Sequence, residues 1–132
     1  MTKKTLEPCC RLSEPCCPPR PSLQGRPLLT FVEAVKVMAL FKVLANDTRI
    51  RLLHELVRSG EVCVTSLAKT LGMKPQAVSN QLQRLSDTGI LGSRRDGNNI
   101  YYRIVDRCVP ALLDQALCIM EDESNTRRAR GE

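Results

Sequence analysis

The chain has 132 residues and a hydrophobic fraction of 42%, which suits one compact domain with a modest core. Twenty Lys and Arg against fourteen Asp and Glu leave a formal charge of +6, which favours a polyanionic partner and would also suit a membrane surface. No apolar run approaches the roughly 20 residues that span a bilayer, and the first residues lack the apolar stretch of a signal peptide, so a soluble cytoplasmic protein without membrane association is expected.

Residues 1–30 hold six of the eight prolines, four of the seven cysteines and no aromatic residue. Proline removes backbone donors and blocks helix, so a mobile arm carrying Cys9, Cys10, Cys16 and Cys17 is expected. From Phe31 to Ala45 the chain is apolar on nearly every side, as expected of a helix buried by its own core and by a second subunit. Asn46 or Asp47 is placed to cap a second helix, with Ile50, Leu53 and Val57 at its inner face and Gly60 at its end.

The segment from Val64 to Gly72 predicts a short helix, and Lys74 to Gly89 a second one with Pro75 near its start and a glycine just past its end. Two helices joined by a tight Gly-containing turn make a helix-turn-helix. Val78, Leu82 and Leu85 face inward in the second helix, which turns Gln76, Ser79, Asn80 and Gln83 outward. All four can hydrogen-bond base edges, and Lys74 and Arg84 can reach phosphate.

Two β-prone segments, Ile90–Arg95 and Ile100–Val105, flank the Asp-Gly-Asn-Asn turn and predict a hairpin. Its strands and tip place Arg94, Arg95, Asn98, Asn99 and Arg103 as further contacts for double-stranded DNA. Residues 74–103 hold five Lys/Arg against Asp87 and Asp96, whereas residues 104–132 hold four Arg against six acids, so positive charge gathers on this unit. A last amphipathic helix follows, with Val109, Leu112, Leu113, Ala116, Leu117 and Met120 as its stripe, expected to close on the first helix and on a partner subunit. The expected organisation is an arm (1–30), a winged helix-turn-helix and dimerisation domain (31–122), and a disordered tail (123–132). The fold class is mainly α with a small β-hairpin.

The cysteines lie at positions 9, 10, 16, 17, 63, 108 and 118. In a reducing cytosol such thiols serve metal binding, redox chemistry or simple burial rather than a disulfide framework. His54 is the only histidine, so a metal site within one chain must rely on sulfur. No acid pair, nucleophile triad or phosphate loop occurs and no general base neighbours a cysteine, so neither an enzyme nor an organic cofactor is expected.

The order of elements, with the strings LFKVLANDTRIRLLHEL, GEVCVTSLAKTLGM, QAVSNQLQRLSDTGIL and SRRDGNNIYYRI, resembles the ArsR/SmtB family of metal-responsive repressors over residues 31–122. The resemblance implies a homodimer on operator DNA of dyad symmetry, with a recognition helix in each major groove and release by an inducer. Many members carry His where this chain has Asn80, a residue equally able to make a bidentate contact to adenine.

The resemblance also implies where an inducer would bind. The family pattern Glu-Leu-Cys-Val-Cys appears as Glu61-Val62-Cys63-Val64-Thr65, so Cys63 is kept and Thr65 replaces a ligand. Cys9, Cys10, Cys16 and Cys17 supply candidate thiolates, and the 13 residues from Pro18 to Thr30 could extend about 40 Å at roughly 3.3 Å each to bring them there. Three thiolates suit As(III), Pb(II) or Hg-type ions and four suit Cd(II) or Zn(II). The family's last-helix zinc site maps to Asp106, Cys108, Ile119 and Asp122, where Ile119 cannot ligate, leaving Cys108 and Cys118 for a thiol variant. Cys118 is otherwise expected to be buried as a small hydrophobe. A thiol redox or persulfide sensor and a constitutive DNA-binding protein with inert cysteines are the other readings.

Overall fold

The computed structural model describes residues 22–129 and 131, with side chains at 22–121 and 131. The expected arm thiols Cys9, Cys10, Cys16 and Cys17 lie outside the described residues, as does the side chain of Asp122. Five helices and three strands follow in the order α1 (Phe31–Leu44), α2 (Asp47–Ser59), β1 (Glu61–Cys63), α3 (Val64–Leu71), α4 (Pro75–Asp87), β2 (Leu91–Asp96), β3 (Asn99–Ile104) and α5 (Cys108–Ala129).

Local chemistry sets each boundary. Thr30 and Glu33 close a capping box over the first turn of α1, which fixes where the N-terminal segment ends. Asn46 caps α2 by accepting from the Arg49 N–H at 3.1 Å. Gly72, at φ +65°, ends α3: its N–H and that of Met73 donate back to Lys69 and Ala68, the Schellman pairing that satisfies the last carbonyls. Pro75 then opens α4, where its missing N–H costs nothing.

Leu52, Leu53, Leu56, Leu67, Val78, Leu82 and Leu85 are fully enclosed at the centre of the core, ringed by Leu44, Ile90, Leu91, Tyr102, Ile104 and Val109. The inner face of α4 is the expected one. That of α2 is not: Leu52, Leu53 and Leu56 are buried, Val57 is half-buried and Ile50 is exposed. The buried side of α2 therefore carries Leu52, Leu53 and Leu56, and the helix packs on α3, α4, β3 and α5.

The hairpin has an added strand. β1 pairs antiparallel with β3, and β3 with β2, so the order is β1-β3-β2. Glu61-Val62-Cys63, which resembles the start of the third helix in sequence, is therefore extended, and Cys63 sits where strand becomes helix. Asp96 faces Asn99 across a two-residue connection with positive φ at Gly97 only, the φ pattern of a type II′ turn.

The terminal helices depart from several expectations. Every α1 residue from Phe31 to Lys42 is exposed, and Leu44 alone is fully buried. α5 packs its first turns on α2 and faces Leu40 of α1 across a shared cavity. Beyond Leu113 its stripe leaves the core, so Ala116, Leu117 and Met120 are exposed, and Cys118 is exposed instead of buried. α5 also continues to Ala129, into the segment expected to be disordered. No helix among the described residues is long and apolar enough to cross a membrane.

Candidate nucleic-acid interface and thiol site

Helix α4 presents Gln76, Asn80, Gln83 and Arg84 to solvent, with Ser79 half-buried beside them and Lys74 exposed at the N-cap position. The outward row expected from the sequence is thus assembled on one face. Gln76 Nε2 donates to Asn80 Oδ1 at 3.1 Å, one helical turn apart, which pre-orients two amides that could each read a base edge. Gln83 Nε2 donates to Asp87 Oδ1 at 2.9 Å.

The wing divides its cations into two kinds. Arg94 is bound to Glu61, lies 3.7 Å from Asp96, and stacks over Tyr101 with its guanidinium carbon 4.7 Å from the ring centre. The Glu61 hydrogen bond raises its already high pKa. Arg103 also lies 3.9 Å from Glu61. Arg95 has no ion pair among the described residues and stands exposed near the tip with Asn98 and Asn99. Sequence reasoning did not assign Glu61 this part. Its place on β1, beside Arg103 of β3 and across β3 from Arg94 of β2, gives it the role, and β1 is not expected from the sequence.

Cys63 is half-buried at the N-cap position of α3. Its sulfur lies 3.2 Å from the Ser66 hydroxyl and 3.3 Å from that of Thr65. Both hydroxyls can donate to the thiolate. Ser66 and then Thr65, with a smaller contribution from the Ser66 backbone, lower the thiol to about 7. Thr65, which occupies the position of a family ligand, has become a hydrogen-bond partner of the remaining one. A thiol that is substantially ionised at neutral pH and only half-buried has the donor chemistry a soft ion requires.

The remaining candidates stand apart from it. Asp106 Oδ1 accepts from the Cys108 N–H at 2.8 Å, ordering the entry to α5. Both residues line a mostly apolar cavity of about 300 Å³ with Leu40, Val109, Leu112 and Asp114. Cys118 lies farther along α5, one residue before the expected ligand position taken by Ile119. Among the described residues no three His, Cys, Asp or Glu side chains converge as a metal site would need.

A helix-turn-helix of α3 and α4 followed by the β2–β3 wing, with β1 added to the wing's sheet, defines a winged helix-turn-helix DNA-binding domain, and a helix-turn-helix domain model matches residues 44–94. A solved antimony-specific transcriptional repressor, AntR, is 61% identical, covers 83% of this chain and 98% of its own, and superposes with a TM-score of 0.72. The regulator NmtR of Mycobacterium tuberculosis is 38% identical over 64% of this chain and 69% of its own length. The arsenic resistance regulator ArsR1 of Pseudomonas putida is 40% identical over 58% of this chain and 59% of its own. The chain belongs to the ArsR/SmtB family of transcriptional regulators, whose members are DNA-binding proteins and not enzymes.

Proposed function

We propose that this chain is a metalloid-responsive transcriptional repressor. Two copies pair through α1 and the distal part of α5, and the dimer holds two α4 helices and two wings against operator DNA. Support for pairing comes from the surface one chain leaves open. Phe31 is 85% exposed and Met120 65%, and Val32, Phe41, Leu117 and Ile119 on the same two helices are exposed as well, apolar surface that a second copy could cover. Gln76, Ser79, Asn80 and Gln83 contact bases, while Lys74, Arg84, Arg94, Arg95, Asn98, Asn99 and Arg103 contact the backbone or minor groove.

The observation that carries the sensing half is the Cys63 thiol, lowered to about 7 and placed at the first turn of the helix-turn-helix. We assign the inducer ligands to Cys63 and to two or three of Cys9, Cys10, Cys16 and Cys17. A bound thiophilic ion would supply a link between arm and domain by replacing the thiol protons with metal–sulfur bonds. Among soft ions the trivalent metalloids Sb(III) and As(III) fit best: three thiolates satisfy them, and the 61% identical relative is an antimony-specific repressor. Cys63 also faces Tyr101 across β1 and β3, and Tyr101 faces Arg94 across β3 and β2. This single row runs from the thiol to the wing, so tension on Cys63 biases the wing. A tenfold loss of operator affinity requires the inducer to discriminate between the two states by only about 1.4 kcal/mol.

The test is a parallel titration with Sb(III), As(III), Cd(II), Pb(II), Hg(II) and Zn(II), following thiolate-to-ion ultraviolet absorption and release of a duplex selected from a random pool. Sb(III) and As(III) are expected to bind at one ion per three thiolates and to release the DNA. Undiminished DNA binding with every ion, or equal release from protein with blocked thiols, contradicts the reading.

A further inference from the structure

We propose that Arg49 is a positioning residue that locks recognition helix α4 to helix α1, so that the pairing of α1 helices sets the spacing of the two α4 helices. This rests on the dimeric DNA-binding reading above.

The need for such a lock follows from how little of α1 is anchored. Only its final residues enter the core, through Leu44 and the partly buried Val43, while the rest is exposed. A helix held by one end can pivot. Arg49, on α2, crosses that pivot. Its Nη1 donates to the Val43 carbonyl at 2.6 Å, one of the C-terminal carbonyls that α1 itself cannot satisfy, and its Nε donates to Gln81 Oε1 of α4 at 2.8 Å. Its backbone N–H is fixed by Asn46 at 3.1 Å. Three helices thus meet at one side chain.

Arginine suits this duty because its planar fork holds both acceptors at a set angle, which a lysine ammonium cannot do. No carboxylate pairs with Arg49 within 4 Å among the described residues, so the group is spent on two neutral acceptors. The space beside it, between α1 and α4, is a polar cavity of about 370 Å³ lined by Lys42, Val43, Arg49, Arg84 and Asp87. Gln81, half-buried, is not one of the fully exposed α4 amides and has this contact instead of a base edge.

The test compares wild type with Arg49→Met, Gln81→Met, the double variant and Arg49→Lys. The first readout is the α1–α4 distance distribution by pulsed electron paramagnetic resonance, with nitroxides carried on non-natural residues at positions 36 and 83 and labelled protomers diluted in unlabelled protein. The second is the affinity ratio between a duplex selected by the wild type and the same duplex with one base pair inserted at its dyad.

Both single Met variants are expected to broaden the distance and to lower the spacing preference by about tenfold, the double variant to add little, and Arg49→Lys to recover part of the loss. A distance as narrow as wild type in both single variants overturns the proposal. So does an equal loss of affinity for both duplexes, which would make Arg49 a phosphate contact. If Arg49→Met does not fold, Gln81→Met carries the same test without touching α1. Failure of the wild type to select any duplex removes the DNA reading, while the distance measurement still decides the lock.

Discussion

The Cys63 sulfur lies 3.2 Å from the Ser66 hydroxyl, and that contact does most to lower the thiol to about 7. A cysteine in an unfolded chain ionises near 8.5, so the folded state favours the thiolate. The stabilisation is therefore fully present above the unfolded value and is lost as pH falls through about 7. Ser66→Ala is predicted to move the titration midpoint of Cys63 upward toward the ordinary value, read by pH-dependent alkylation rates of the peptide containing Cys63. Inducer affinity should weaken below pH 7 as protons compete for the sulfur.

Thr65 stands 3.3 Å from the same sulfur. Replacing it, Thr65→Cys, adds a thiol beside Cys63 at the family position. Affinity for Cd(II), an ion suited to four thiolates, should rise by about tenfold or more relative to Sb(III). Competition with a chromophoric chelator measures it.

Asn80 accepts from Gln76 at 3.1 Å on the outward face of α4. Asn80→Ala should cost about 1–3 kcal/mol on the selected duplex with little effect on unrelated DNA. Arg95→Ala should weaken both alike and reduce the slope of log affinity against log salt by about 1. Fluorescence anisotropy across a salt series separates the two.

The exposed α1 face and the enclosed core predict different failures. Met38→Glu, at a residue 46% exposed in one chain, should dissociate the dimer in sedimentation equilibrium while leaving the far-ultraviolet dichroism of a folded domain. Leu56→Ala, at a fully buried residue, should cost about 2–5 kcal/mol in denaturant unfolding.

The helix-turn-helix was readable because its signals are local. Gly72, Pro75 and Gly89 mark helix ends, and Val78, Leu82 and Leu85 keep the helical period. The outward amides follow from that same period. β1 was not readable: three residues carry no period of their own, and Glu61–Cys63 are extended only because β3 offers a partner. The rotation of α2 likewise depends on which leucines α3, α4 and β3 can receive. Cys118 is exposed because a helix that is apolar in sequence need not bury that surface within its own chain. The parts of Glu61, Ser66 and Arg49 are tertiary: Glu61 reaches Arg94 across the sheet and Arg49 reaches Gln81 32 residues away.

Release of operator DNA by Sb(III) from wild type and from Cys63→Ser tests the central claim most directly. Fluorescence anisotropy of a labelled duplex is followed as Sb(III) is added to each protein. Both proteins should bind the duplex with similar affinity in the absence of metalloid, and Sb(III) should displace the wild type while the variant stays bound. Displacement of both proteins at the same Sb(III) concentration would contradict the account.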